Sequence, residues 1–243
     1  MKLSFLKLNT SILLFLAIST YAQESYNKHK IADIKEASGI AYCKDSKTLI
    51  VANDEGSFYE ITLEGKPVAR HKLGDFDLEG VVCEKEYLIF AVEKGALLKV
   101  DRTSLKTKYL KLKGESFKIS KKAGIEGITK VGKYYYLAIQ SDKKKNAKLL
   151  IVKAGDNYAK VIDTIEHKIV DSAGLHHEGK QLYIVSDTKN KLYIYNLKKN
   201  KIDKKIKLPK FNQEGITFDV EGNVYLADDQ GAVLKYTQKE LGL

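Results

Sequence analysis

Gly124-Ile125-Glu126-Gly127-Ile128-Thr129 has four variants elsewhere in this chain. They are Glu36-Ala37-Ser38-Gly39-Ile40-Ala41, Asp77-Leu78-Glu79-Gly80-Val81-Val82, Asp171-Ser172-Ala173-Gly174-Leu175-His176 and Asn212-Gln213-Glu214-Gly215-Ile216-Thr217. The glycines they share are 41, 47, 47 and 41 residues apart. A period of about 40 to 50 residues filled with short strands is the mark of a β-propeller, each repeat making one four-stranded blade.

Within each period the same order recurs. A short apolar segment follows the glycine and is its blade's first strand. The second strands are predicted at 48–53, 87–92, 134–139, 181–186 and 223–228. They read as near-continuous Leu, Ile, Val, Tyr and Ala, which suits a strand covered on both faces by neighbouring blades. Third strands are predicted at 58–62, 96–101, 148–153, 191–196 and 232–237. Fourth strands, at 67–73, 107–112, 159–165 and 201–208, alternate more and carry Lys, as an exposed sheet edge requires.

The fifth repeat ends without a fourth strand, and the N-terminal side supplies one. His29-Lys30-Ile31-Ala32-Asp33 resembles His71-Lys72-Leu73-Gly74-Asp75, and each leads into a repeat glycine. Residues 25–32 are therefore expected to complete the last blade and close the ring. The prediction is an all-β chain of five four-stranded blades. Six would need a diverged blade, for which residues 115–123 are too few. A β-sandwich would also be low in helix, but it does not need this period.

The chain has 243 residues, and its first 22 read as a cleaved secretory leader. Lys2 and Lys7 make a basic start, Ser11 to Ile18 an apolar core, and Thr20-Tyr21-Ala22 a small-x-small cleavage site. That run is too short to span a bilayer comfortably, no later stretch is long enough, and no Cys lies where a lipid anchor would attach. Residues 23–243 are expected to form one propeller domain, periplasmic or secreted. Net charge is +11, and loss of Lys2 and Lys7 with the leader brings it to about +9. Nearly all the positive charge is Lys spread over every repeat. Arg70 and Arg102 are the two arginines, too few for bidentate phosphate reading, so nucleic acid is not an expected partner. An oxidising compartment would permit a bridge between Cys43 and Cys83. Their unequal offsets from Gly39 and Gly80 put them on opposite strand faces, which reads against one.

The chemistry gathers before the glycines. That column reads Ser38, Glu79, Glu126, Ala173, Glu214. A second column closes the second strands: Asp54, Glu93, Gln140, Asp187, Asp229, with Asn53 and Asp228 one residue earlier. The second strand runs antiparallel to the first, so both columns are expected at one rim of the central channel, an acidic patch on a basic protein. The candidate metal ligands are Glu79, Glu126, Glu214, Asp54, Asp187 and Asp229. Glu93, Gln140, His176 and Asp228 are candidate ligand-binding neighbours. An all-oxygen donor set points to a hard cation, and Ca²⁺ is the cofactor it implies. The same residue types also serve turns, where Asp and Asn bond nearby backbone N–H groups. Ser38 has no His-Asp partner at a recognisable spacing. No Gly-rich phosphate loop, CxxC pair or HExxH is present, and no catalytic residue is assigned.

Four stretches carry a family resemblance: Glu36 to Tyr42, Leu49 to Gly56, Ile61 to Gly65 and Asp75 to Val81. Together they resemble the SdiA-regulated (YjiK-like) family of bacterial envelope proteins, best over residues 33–100. The resemblance runs on to the C-terminus through Glu126-Gly127-Ile128 and Glu214-Gly215-Ile216. It implies a β-propeller in the envelope and brings no activity with it. NHL, lactonase-like and phytase-like propellers share the Glu-Gly-Ile turn. Ser38 and Ala173 stand where a symmetric ion site would have Glu. The sequence thus favours a binder of Ca²⁺ or of a small or peptide-like ligand at the acidic rim. The alternative is a metal-dependent hydrolase of lactonase-like or phytase-like type, and a scaffold that binds proteins through its blade faces is a third reading.

Overall fold

The computed structural model describes residues 26–114, 117, 119 and 124–243. The predicted leader lies outside the described residues.

Twenty strands follow one another along the described residues. The first, β1 (Lys30–Asp33), stands apart from the blade that comes after it. Blade 1 is β2 (Ala37–Cys43), β3 (Thr48–Asn53), β4 (Ser57–Thr62) and β5 (Pro67–Lys72). Blade 2 is β6 (Leu78–Cys83), β7 (Tyr87–Val92), β8 (Ala96–Asp101) and β9 (Thr107–Lys113). Blade 3 is β10 (Ile125–Val131), β11 (Tyr134–Ile139), β12 (Lys148–Ala154) and β13 (Ala159–Ile165). Blade 4 is β14 (Ser172–Glu178), β15 (Gln181–Ser186), β16 (Lys191–Asn196) and β17 (Lys201–Lys207). Blade 5 is β18 (Gln213–Phe218), β19 (Asn223–Asp228) and β20 (Ala232–Thr237), completed by β1. Blades 2 and 3 also touch through a short parallel pairing of β9 with β13, at Leu112–Ala159 and Lys113–Lys160. The innermost strands close a ring in which β2, β6, β10, β14 and β18 each lie beside the next, and β18 returns to β2.

Five separate apolar layers hold this ring, one between each pair of neighbouring blades. Between blades 1 and 2, for instance, Ile50 and Phe58 pack against Leu88, Phe90 and Leu98. Between blades 5 and 1, Tyr225 and Val233 meet Ile40, Leu49 and Val51. A second strand faces a layer on each side, so its middle residues are apolar without interruption. Each fully buried Leu, Ile or Phe contributes about 1.5–3 kcal/mol relative to exposure.

The repeat glycines stand where neighbouring inner strands come closest. A Cβ on Gly80 would lie 2.6 Å from the Ile128 nitrogen, and one on Gly174 2.7 Å from Gly215 Cα. Backbone cannot move aside as a side-chain tip can, so hydrogen is what fits there.

The ring closes as the sequence implied, with a shorter strand. β1 starts at Lys30 and pairs with β20, while residues 26–29 form a helical turn instead of extending the strand. That turn is tied to blade 5. The Tyr26 hydroxyl donates to Asp228 Oδ2 at 2.5 Å, and the His29 ring stacks on Tyr236 with centroids 4.2 Å apart. A hydrogen bond to a charged partner contributes about 1.5–3 kcal/mol. Tyr26→Phe is therefore expected to cost about 1.5 kcal/mol, read as a lower urea midpoint at unchanged m-value. An unchanged midpoint would mean that the latch contributes nothing.

The cysteines correct the sequence reading. Cys43 and Cys83 are joined in a disulfide, Cα atoms 5.3 Å apart, linking the inner strands of blades 1 and 2. Opposite faces do not prevent this bridge and in fact permit it. In a ring of blades, one blade's forward face meets the next blade's rear face.

Candidate functional site: an acidic channel mouth

The pre-glycine residue owes its position to a break in strand pairing. β2 pairs Ala37 with Asn53 and then Gly39 with Ala52, leaving Ser38 out. β10 likewise skips Glu126, and β18 skips Glu214. The register shifts in the same place in β6, between Leu78 and Val81, and in β14, between Ser172 and Leu175. Each inner strand therefore carries a β-bulge at its repeat glycine. A bulge bends the strand and re-aims a side chain, and here it falls on the residue most often Glu.

Backbone bonds bring the second column to the same rim. Glu93, Gln140 and Asp229 donate their N–H groups to the carbonyls of Asp77, Gly124 and Asn212, each at 3.1 Å. Those acceptors lie three residues before a repeat glycine. Glu93 reaches over blade 3, where its Oε1 would be 2.9 Å from a Cβ on Gly124.

The carboxyls raise one another's pKa. Burial holds Glu79 well above the usual range, reinforced by Glu126 and Glu214. Burial does the same for Glu214, reinforced by Glu126, Asp187 and Asp171. Glu126 is pushed up to about 7 by burial and by Glu93, with a hydrogen bond from Glu79 acting the other way. Asp54 rises to about 6 through burial and the adjacent Glu36. Burial also raises Glu93, with Asp77 beside it, and Asp187, with Asp171 beside it. Asp54 Oδ1 is buried without a hydrogen-bond partner.

Two predicted members lie elsewhere. Asp228 is fully buried and bonded by the Tyr26 hydroxyl and the Asn212 and Gln230 N–H groups. It is a latch and turn residue with no open side toward the channel. His176 follows its glycine by two positions, and its ring packs on Phe218 at 4.7 Å toward the opposite mouth. Ser38 donates across the blade interface to the Leu78 carbonyl at 2.5 Å, a structural bond.

Glu36, Asp77 and Asp171 also stand at the mouth, beside Asp54, Glu93 and Asp187, and lie outside the two columns that the sequence reading singles out. They occupy the third position before the glycine, a column reading Glu36, Asp77, Gly124, Asp171, Asn212. Aligning that column would have found them. Glu36 and Asp171 sit at φ 51°, a left-handed turn conformation that non-glycine residues rarely adopt.

The oxygens fit a hard cation in kind, and their spacing is wider than one ion's shell. Among the described residues, no three of these carboxylates bring an oxygen each within 4.8 Å of one another. The trio that does converge is Cys43, Asp45 and Cys83. There the sulfurs are bonded to each other, and Asp45 is held by Arg102 at 2.7 Å.

The profile of the SdiA-regulated family matches residues 17–230. Glutaminyl cyclase from Myxococcus xanthus is similar in structure, with TM-score 0.65 and 13% identity over 85% of this chain and 92% of that one. The Cps50 (Swd1) β-propeller domain of Myceliophteria thermophila follows at TM-score 0.49 and 11% identity, over 79% of this chain and 62% of that one. No curated protein matches the chain in sequence. The fold is a β-propeller.

Proposed function

This chain belongs to the SdiA-regulated family, and we propose that it is an exported propeller that binds a cationic ligand at the Glu79–Glu126–Glu214 mouth of its channel. One observation carries the reading: three glutamates on three blades, Glu79 buried and Glu126 and Glu214 half-buried, face one channel mouth and hold one another's pKa values up. Buried like charges are costly, and a cation seated among them turns the repulsion into attraction. An ammonium group on a small or peptide-like ligand suits a ring wider than one ion's coordination shell. Ca²⁺ would draw on the same oxygens, with Asp54, Asp187 and Asp229 around them, only if the ring contracted, since no three of these carboxylates, among the described residues, bring oxygens within 4.8 Å of one another. Export is supported by the disulfide, which belongs to an oxidising compartment, and by the leader-like N-terminus. Among the described residues, no helix is long and apolar enough to cross a membrane.

A second reading rests on Glu126. A carboxyl that titrates near neutrality can take and return a proton at physiological pH, as an esterase or cyclase needs. The M. xanthus neighbour is named a glutaminyl cyclase. A peptide with N-terminal glutamine carries the ammonium that this ring would attract, so it is the first peptide to test.

Thermal melting at pH 7.5 tests the reading, with chelator, with millimolar Ca²⁺ and with Gln-Gly dipeptide. A bound cation stabilises by RT ln(1 + [L]/Kd), about 2.7 kcal/mol at a hundred times Kd. The expected result is a higher melting temperature with at least one of the two, lost in Glu126→Gln. No shift with either would overturn it. Turnover of the dipeptide, a lactone or a phosphoester, abolished in that variant, would establish catalysis.

A further inference from the structure

Past the glycine ring the inner strands enclose a second space. A cavity of about 190 Å³ is lined by the three residues after each repeat glycine, among them Tyr42, Thr129, His176, Thr217 and Phe218. Val81 to Cys83 line it two to four residues of extended strand past Glu79, so this chamber runs from about 7 to about 13 Å beyond the carboxylates along the strand. Its chemistry differs from theirs. No carboxylate lines it among the described residues, and the lining Lys130 is paired with Glu84 at 2.7 Å.

Its polar groups have capacity to spare. Neither ring nitrogen of His176 is hydrogen-bonded among the described residues, nor is the Thr129 hydroxyl. The Thr217 hydroxyl oxygen accepts from the Tyr42 N–H at 3.1 Å and keeps its own proton to donate. Phe218 sits 4.7 Å from both His176 and Tyr183, an aromatic floor that fixes the imidazole. Burial holds His176 down to about 4, so it is neutral at pH 7, with one N–H and one lone pair.

We propose that this chamber is a second ligand site, distinct from the acidic mouth, which takes a small uncharged ring compound bearing one hydrogen-bonding group. The ring lies against Phe218 and Tyr42, and its polar group meets His176 and Thr129. The size is right for one ring: an engineered apolar cavity of about 150 Å³ holds benzene. The unpartnered imidazole and hydroxyl would favour a polar-substituted ring over a bare one.

Phenol and benzene are the probes, titrated against the ¹⁵N-labelled full-length protein at pH 7 while the imidazole resonances are followed. Phenol is expected to shift His176 saturably, with a Kd at least fivefold lower than that of benzene. His176→Phe and, independently, Thr129→Val are expected to erase that preference. Should His176→Phe fail to fold, Thr129→Val decides. The proposal is overturned if phenol gives no saturable shift, if the probes act alike, or if the preference survives in a folded variant.

Discussion

Reduction of the Cys43–Cys83 bridge is expected to lower the stability of the protein by about 4 kcal/mol. The bridge closes a loop of sequence separation 40. Cross-linking a loop of that length removes about 13 cal/mol/K from the unfolded chain, or about 4 kcal/mol at 25 °C. The position adds to the consequence, because the bridge joins the inner strands of blades 1 and 2 beside the channel. Cys43 is fully buried, so replacement by Ala is preferable to Ser, which would strand a hydroxyl. Urea unfolding of Cys43→Ala/Cys83→Ala is expected to show the lower midpoint with or without reductant. The parent should show it only with reductant. Equal midpoints for parent and variant under oxidising conditions would contradict the prediction.

Neutralising Glu126 is expected to have the opposite sign, stabilising the ligand-free protein at alkaline pH by about 4 kcal/mol. Its pKa stands near 7 in the fold, above the ordinary carboxylate value of about 4.3 in the unfolded chain. The fold therefore favours the protonated carboxyl. That contribution is whole below about pH 4 and is lost as pH rises through 7, at about 1.4 kcal/mol for each pH unit between the two values. Glu126→Gln keeps the neutral shape and removes the titration. Stability measured at pH 5 and pH 8 should fall more steeply in the parent than in the variant. Parallel pH dependences would show that Glu126 is not under this strain. Adding Glu214→Gln should give less than the sum, because the two carboxyls act on each other. A residue that destabilises the empty protein and binds its ligand is a common functional compromise.

Most of the fold could be read from the chain because a propeller repeats locally. The second strands at 48–53, 87–92, 134–139, 181–186 and 223–228 occur as predicted. A strand covered on both faces has an unbroken apolar middle, which sets it off from the turns around it. β1 was harder. Lys30 to Asp33 make the strand, while Tyr26 to His29 turn helically so that Tyr26 can reach Asp228. That contact spans 202 residues, and no local pattern announces it. Asp228 reads as a channel residue in sequence for the same reason, since its partner Tyr26 is remote along the chain. His176 does line the channel, but two residues of extended strand carry it to the far side of the glycine ring from the glutamates.

The period, the strand order and the glutamates before the glycines are all written in neighbouring residues, so the chain alone dictates them. The bridge is settled by packing, because whether opposite faces meet depends on how one blade stands against the next. Packing also settles what the glutamates do. A bulge in each inner strand takes the residue before the glycine out of the ladder, and ring closure brings Glu79, Glu126 and Glu214 within reach of one another. Their raised pKa values follow from burial and mutual repulsion, which no single repeat possesses.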